Sequence, residues 1–351
     1  MKRILAGMLA LSMLFALAAC GGPEKKPASS GTPDGSSSPA SSQPSAGKKT
    51  LQIGFTTAAD PSDPYFYVAT EMARILEEKS GGTLGLELFP NGQLGQEREM
   101  FEGMQMGTTE MAVMTNSYVS NFIPACGALD LPFIFEDVDQ AAAVMSGGFG
   151  QSLFTEFEGS GVVPLAWAVG GFRNLVTVGK AVKVPEDFKG MKIRCLENNT
   201  YMNTYSTLGA NPTPMAWSET IPGLQQKTVE GLDASISVLY TGGFADICDY
   251  LSLTNQFFAA TLICISQTEW DKLSPEEQTW LREAALEASD LQARFQVQAD
   301  EDNLAKMEEA GITVVRDVDY TAFKDALGDF YDSMKDSIGA KYVDDLFAAI
   351  G

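Results

Sequence analysis

Histidine is absent from the 351 residues, and basic residues are scarce: 24 Lys+Arg stand against 46 Asp+Glu, a formal net charge of −22. Without imidazole there is no Ser/His/Asp or Cys/His triad, no His-ligated zinc and no histidine proton shuttle. The shortage of basic residues argues against nucleic-acid binding, which needs a cationic patch for phosphates. Cysteine is also sparse. Of the five, Cys126, Cys195, Cys248 and Cys264 form neither a C-x-x-C pair nor a metal-ligand spacing, so buried thiols and two disulfides both stay open. No metal or cofactor is expected. What remains is carboxylate-only catalysis or binding without catalysis. The length suggests about two domains, and 45% hydrophobic content suffices for a core in each.

The first segment reads as a signal peptide over residues 1–19: Lys2 and Arg3 precede a short apolar run that ends at small residues. Leu17-Ala18-Ala19-Cys20 forms a lipobox, which makes Cys20 a lipidated mature N-terminus and the protein an extracytoplasmic lipoprotein. Residues 20–49 carry that cysteine and then a tether rich in Ser, Pro, Gly and Ala. No large apolar residue occurs there, so ordering entropy has nothing to offset it.

From residue 51 the pattern alternates strand and helix, the signature of an α/β fold with a largely parallel sheet. Strands are expected at 51–56, 84–88, 111–115, 162–169, 173–178, 191–196, 232–238, 251–254 and 260–266. Helices are expected from Pro64, with Asp63 as N-cap, to the stop at Gly81-Gly82, and at 96–107, 200–208 and 218–227. Gly170-Gly171 marks a crossing between two lobes. Ser274-Pro275-Glu276-Glu277 is a capping box, and no helix breaker follows before Gly311. That predicts a helix of about 36 residues and about 54 Å, with Trp280, Ala284, Ala288, Leu291 and Phe295 as its buried stripe. A helix that long spans both lobes.

Several blocks together resemble the solute-binding proteins of tripartite ATP-independent periplasmic (TRAP) transporters, of the dicarboxylate-binding (DctP) type. They are Phe89-Pro90-Asn91-Gly92-Gln93-Leu94-Gly95 with Glu97-Arg98-Glu99; Leu131-Pro132-Phe133-Ile134-Phe135; Gly171-Phe172-Arg173-Asn174; Gly190-Met191-Lys192-Ile193-Arg194; and Gly209-Ala210-Asn211-Pro212-Thr213-Pro214-Met215 with Trp217-Ser218-Glu219. The resemblance implies a two-lobe periplasmic-binding-protein-like fold with a hinge. Lobe I would comprise 50–170 plus about 259–295, and lobe II 171–258 plus about 296–351. It further implies a monomer that closes on a small organic acid anion and hands it to small and large permease subunits in the membrane. Arg194 would form a bidentate bridge with the ligand carboxylate, Arg173 a second contact, and Trp217 a packing face. Asn116, Ser117, Tyr118 and Phe66 fall in positions like the family's ligand-facing loops. One departure stands out: where the family carries an Asn that contacts ligand, this chain has Ala234.

The residues themselves leave alternatives open. Arg194 in an apolar strand needs a partner, which a ligand or Glu197 would supply. Arg173 suits a ligand or a salt bridge between lobes, and Trp217, Tyr118 and Phe66 suit core packing. Two other outputs stay open. A ligand-sensing lipoprotein could feed a sensor kinase, and a carboxylate-pair glycosidase would need two acids at a defined separation, which no motif singles out.

Overall fold

The computed structural model describes residues 48–351; the signal peptide, Cys20 and nearly all of the tether lie outside them. The chain opens with β1 (Lys49–Gly54), α1 (Pro64–Lys79), β2 (Leu84–Phe89), α2 (Glu97–Met106), β3 (Met111–Thr115) and the short α3 (Asn116–Val119). A 3-10 segment over Pro124–Asp130 leads to α4 (Val138–Ser146), α5 (Gly148–Leu153) and the long β4 (Val162–Thr177). Then come β5 (Lys192–Cys195), α6 (Asn199–Thr207), β6 (Asn211–Pro214), α7 (Thr220–Gln225), β7 (Gly231–Ser235) and α8 (Ile236–Thr241). The second long strand, β8 (Tyr250–Ser266), precedes α9 (Gln267–Trp270), α10 (Pro275–Glu309), β9 (Thr313–Val315), α11 (Tyr320–Leu327), α12 (Phe330–Ile338) and α13 (Ala340–Ile350).

The nine strands form one sheet in the order β2-β1-β3-β8-β4-β7-β5-β6, with β9 on β8. It is mixed rather than largely parallel. The β1–β2, β1–β3, β5–β6, β5–β7 and β8–β9 pairs are parallel, while β3–β8, β4–β8 and β4–β7 are antiparallel. The long strands β4 and β8 run side by side through the middle and serve both flanks: residues 261–265 of β8 pair with β3, and residues 173–177 of β4 pair with β7. The four separate strands expected at 162–169, 173–178, 251–254 and 260–266 are therefore two continuous ones. Gly170-Gly171 is a register shift inside β4 rather than a break. Gly171 has φ 89°, and a Cβ there would stand 2.8 Å from Asp300 Oδ2, so β4 passes α10 at a distance only glycine permits.

α10 forms as the capping box predicts. Glu277 N donates to Ser274 Oγ (3.2 Å), Ser274 N donates to Glu277 Oε2 (2.7 Å), and Pro275 occupies the first turn. Its 35 residues extend about 52 Å, comparable to the reach of a 16-residue strand such as β4 at about 53 Å. The buried stripe differs from the expected one. Ala284 and Ala288 belong to it, but Trp280, Leu291 and Phe295 are half-buried, and Gln292, Gln296 and Asn303 are fully buried. Gln292 explains why polar residues sit there: its Oε1 accepts from Val169 N (3.1 Å) and its Nε2 donates to Pro64 O (2.7 Å), tying α10 to β4 and α1. The expected helix at 218–227 is shortened to α7 behind a 3-10 turn at Trp217–Glu219, and the strand expected at 232–238 ends at Ser235, where α8 begins.

One apolar core packs α1, α8 and α10 on a face of the sheet; a second gathers α2, α4, α6 and α11–α13 on the other. All four described cysteines are buried free thiols, consistent with the open thiol alternative and not with disulfides.

Candidate ligand-binding cleft

The carboxyl ends of β1, β3 and β7, together with β5, converge on a cleft, the position where open α/β sheets bind ligands. It measures about 390 Å³, its solvent-open mouth included, and brings together Thr56, Thr57, Tyr65, Glu97, Thr115, Tyr118, Arg173, Arg194, Leu196, Trp217, Ala234, Ser235, Val238 and Ala259. Residues from the first half of the chain thus face residues from the second.

Arg194, in β5, is 1% exposed. Its Nε and Nη2 both donate to Met215 O (3.0 and 2.8 Å), and its guanidinium carbon lies 5.7 Å from the centre of the Trp217 ring. Nη1 is left unclaimed, and among the described residues no carboxylate stands within ion-pair distance of Arg194. Glu197, the alternative partner, instead faces Arg98 at 3.7 Å. A buried guanidinium without a counter-charge is costly unless an anion completes it.

Arg173 differs. It is 5% exposed and ion-paired through Nε with the fully buried Asp233, whose backbone carbonyl also accepts from Nη2. Burial opposes the Arg173 charge, but Asp233 more than offsets it, so its pKa lies above the ordinary arginine value. The guanidinium also covers the Tyr201 ring at 5.5 Å. Arg173 therefore lines the cleft as part of an internal pair whose two members both lie within 171–258, not as the expected bridge between lobes.

Glu97 opens α2 and points its buried side chain into the cleft. Its Oε1 accepts from Thr115 N (2.6 Å) and Thr115 Oγ1 (2.9 Å), and Tyr65 OH lies 2.7 Å from the same hydroxyl. Since the Thr115 proton goes to Glu97, Tyr65 is the donor in that link. Burial pushes the Glu97 carboxyl up to about 7, against the lowering pull of the Thr115 hydrogen bonds and both arginines. Burial likewise raises Tyr118 to about 12.

Of the residues singled out in the sequence, Arg194, Arg173, Trp217 and Tyr118 line the cleft. Phe66 does not. It is half-buried, edge-on to Phe55 with ring centres 6.3 Å apart, and packs on the core of the α1 face. Asn116 and Ser117 are also displaced from the cleft. Both are fully buried and donate to Asp130 Oδ1 (2.8 and 3.0 Å), because that buried carboxylate needs donors. Glu97, Tyr65, Thr115 and Ser235 went unassigned in the sequence; their position after strand ends was the available signal.

Residues 55–337 match the family described as bacterial extracellular solute-binding protein, family 7. The chain belongs to this family. Among relatives, a solute-binding protein of Verminephrobacter eiseniae is 35% identical over 283 residues, 80% of this chain and 84% of its own. The 2,3-diketo-L-gulonate-binding periplasmic protein YiaO of Escherichia coli is 33% identical over 282 residues, 80% of this chain and 85% of its own. The solved structure of a TRAP periplasmic solute-binding protein from Polaromonas, bound to D-erythronate, superposes with a TM-score of 0.82 at 31% identity, covering 86% of this chain and 99% of that one. The two-lobe α/β architecture and the TRAP solute-receptor class follow from these matches, and members of family 7 are transporter receptors, not enzymes. Neither the glycosidase nor the sensor-kinase reading gains support from them. Among the described residues, no helix is long and apolar enough to cross a membrane.

Proposed function

We propose that this family 7 receptor captures a small organic acid anion in the cleft around Arg194, closes its lobes over it, and delivers it to the small and large permease subunits of a TRAP transporter. Arg194 carries the reading: a guanidinium 1% exposed, with an open fork edge and, among the described residues, no carboxylate paired to it. A planar fork matched to carboxylate stays charged when desolvated. Arg173, Trp217 and Tyr118 complete the contact set, with Arg173 acting beside its Asp233 partner. Asn116 and Ser117 support the floor, and Phe66 supports the wall. Lobe I comprises 50–170 plus about 259–295, and lobe II 171–258 plus about 296–351, with Gly170-Gly171 at the crossing. The E. coli relative's diketogulonate and the Polaromonas protein's erythronate are both organic acid anions, which fits the Arg194 assignment.

The protein works as a monomer outside the cytoplasm, held to the membrane through a lipidated Cys20. Cys20→Ser should shift it from the membrane fraction to the soluble fraction; unchanged partitioning would remove the anchor. For the site, calorimetric titration with a panel of organic acids against wild type and Arg194→Ala is decisive. The expected loss is about 2–5 kcal/mol, because the substitution leaves the ligand carboxylate buried and unpaired. Equal affinity in the two proteins would sink the assignment.

A further inference from the structure

We infer that Tyr201, which lies behind the cleft rather than in its lining, is a positioning residue for ligand capture. Its ring fixes the plane of the Arg173 guanidinium and so aims the free edge of that fork at the bound anion. The inference rests on the receptor reading above, in which Arg173 is a contact, and assigns the residue that acts through it.

Asp233 holds Arg173 along one edge only. Nε reaches the carboxylate and Nη2 the backbone carbonyl, which leaves Nη1 and the second Nη2 hydrogen unclaimed among the described residues. A planar group held at one edge can still tilt about that edge, and a flat face against it removes the tilt. Tyr201 supplies the face, with the guanidinium carbon 5.5 Å from its ring centre. A cation on an aromatic ring is held most strongly where water is excluded, as it is here. Arg194 is built the same way: Met215 O takes its Nε and Nη2 edge, and the Trp217 ring stands 5.7 Å from its guanidinium carbon. Each arginine of the cleft is thus edge-held by an acceptor and backed by one ring.

Tyr201 is in turn fixed on two sides. It is fully buried, its ring stacks on Phe257 at 3.9 Å with 22° between the planes, and its backbone N donates to Asn198 Oδ1 at 3.2 Å. Its hydroxyl has no hydrogen-bond partner among the described residues, so the ring and not the polar end does the positioning. Arg173, Tyr201, Asp233 and Phe257 all fall between residues 173 and 257, so these contacts need nothing from the first half of the chain. A fork oriented before the ligand arrives avoids an ordering cost on binding.

The test titrates D-erythronate, D-glucuronate and L-malate into the whole chain by calorimetry and follows whichever binds the wild type most tightly. Urea denaturation of each variant runs alongside. Tyr201→Leu should weaken that acid about tenfold, while Tyr201→Phe, which keeps the ring, should stay within about twofold of the wild type. Phe188→Leu is the control. Phe188 is 1% exposed in the same core and packs on Tyr205 and Phe323, so its loss should cost stability and leave affinity unchanged. Tyr201→Leu within about twofold of the wild type overturns the inference. So does Tyr201→Phe binding as weakly as Tyr201→Leu, or Phe188→Leu weakening binding as much. Tyr201→Met, whose flexible side chain fills the site without a flat face, takes the place of Tyr201→Leu if that variant fails to fold. Should Arg194→Ala lose binding while Tyr201→Leu keeps it, the receptor reading stands and this one falls. Binding of none of the three acids overturns both.

Discussion

Arg173 and Arg194 carry the same side chain and line one cleft, yet the fold treats them differently. Asp233 neutralises Arg173, and Met215 O only orients Arg194. Breaking a buried pair on one side strands a charge, whereas replacing both partners with apolar groups does not. Asp233→Ala should therefore cost about 3–5 kcal/mol of unfolding free energy, and Arg173→Met combined with Asp233→Leu should recover most of it. Urea denaturation of the single and double variants checks this; a double variant as unstable as the single would show that packing, not charge, fills that site. The arginines were legible in the sequence because each sits in a recognisable block and a charged residue in an apolar strand demands a partner. Their partners were not. Asp233 lies 60 residues from Arg173 in the chain, and only the antiparallel pairing of β4 with β7 brings them together.

At the scale of elements, what could be read was local and what could not was long-range. The capping box before α10 and the breaker-free run behind it are local signals, and that helix is where the sequence places it. β4 and β8 looked like four strands because their bulged middles interrupt the alternating pattern, and pairing partners leave no mark on a single strand. The chain order of Asn116 and Ser117, just after β3, suggested ligand contact, but the loop ends in a latch. Asn198 caps α6 by accepting from Thr200 N (2.8 Å) and Tyr201 N (3.2 Å), while its Nδ2 donates to Ser117 O (2.8 Å) and Ser120 Oγ (2.8 Å) on α3 and its flank. Asn121 Nδ2 reaches Glu197 O at 2.7 Å beside it. One side chain thus starts a helix of the second half and fastens it to the first. Asn198→Ala should cost about 1–2 kcal/mol for the lost cap alone and should also weaken ligand binding, because the two halves meeting at the cleft are joined there. Thermal unfolding together with ligand titration separates the parts. Asn198→Asp keeps the capping oxygen and removes the bridging donor, so it should spare the cap and still lower affinity; unchanged affinity would reduce the latch to a cap.

At the scale of the whole molecule, the acidic composition returns inside the protein as well as on its surface. Three buried carboxyls, Asp63, Glu97 and Asp130, and the half-buried Asp300 have no cation at ion-pair distance among the described residues. Burial pushes Asp63 and Glu97 up to about 7 and Asp130 and Asp300 up to about 6, from ordinary values of 3.8 for Asp and 4.5 for Glu. Hydrogen bonds resist this in each case, as where Thr57 Oγ1 donates to Asp63 at 2.6 Å, but do not cancel it. A carboxyl with a raised folded-state pKa holds its proton longer in the folded protein than in the unfolded one. Its contribution to stability is complete below the unfolded value and is lost as pH rises through the folded value. All four therefore act in one direction across the window from about pH 4 to about pH 7. Asp187, Glu308 and Asp317 are shifted downward, so their contributions fade only below that window. The net charge of −22 adds self-repulsion that also grows as the carboxyls ionise. Each pKa unit corresponds to about 1.4 kcal/mol, so Glu97 alone contributes about 3 kcal/mol, and about 2–4 °C accompanies each kcal/mol in a domain of this size. The ligand-free protein should melt at least about 5 °C higher at pH 5 than at pH 8. Glu97→Gln should flatten that difference by removing one of the titrating groups. Differential scanning calorimetry across pH 4.5–8.5 measures both, and a melting temperature that rises toward pH 8 would show that the buried carboxyls stay ionised throughout.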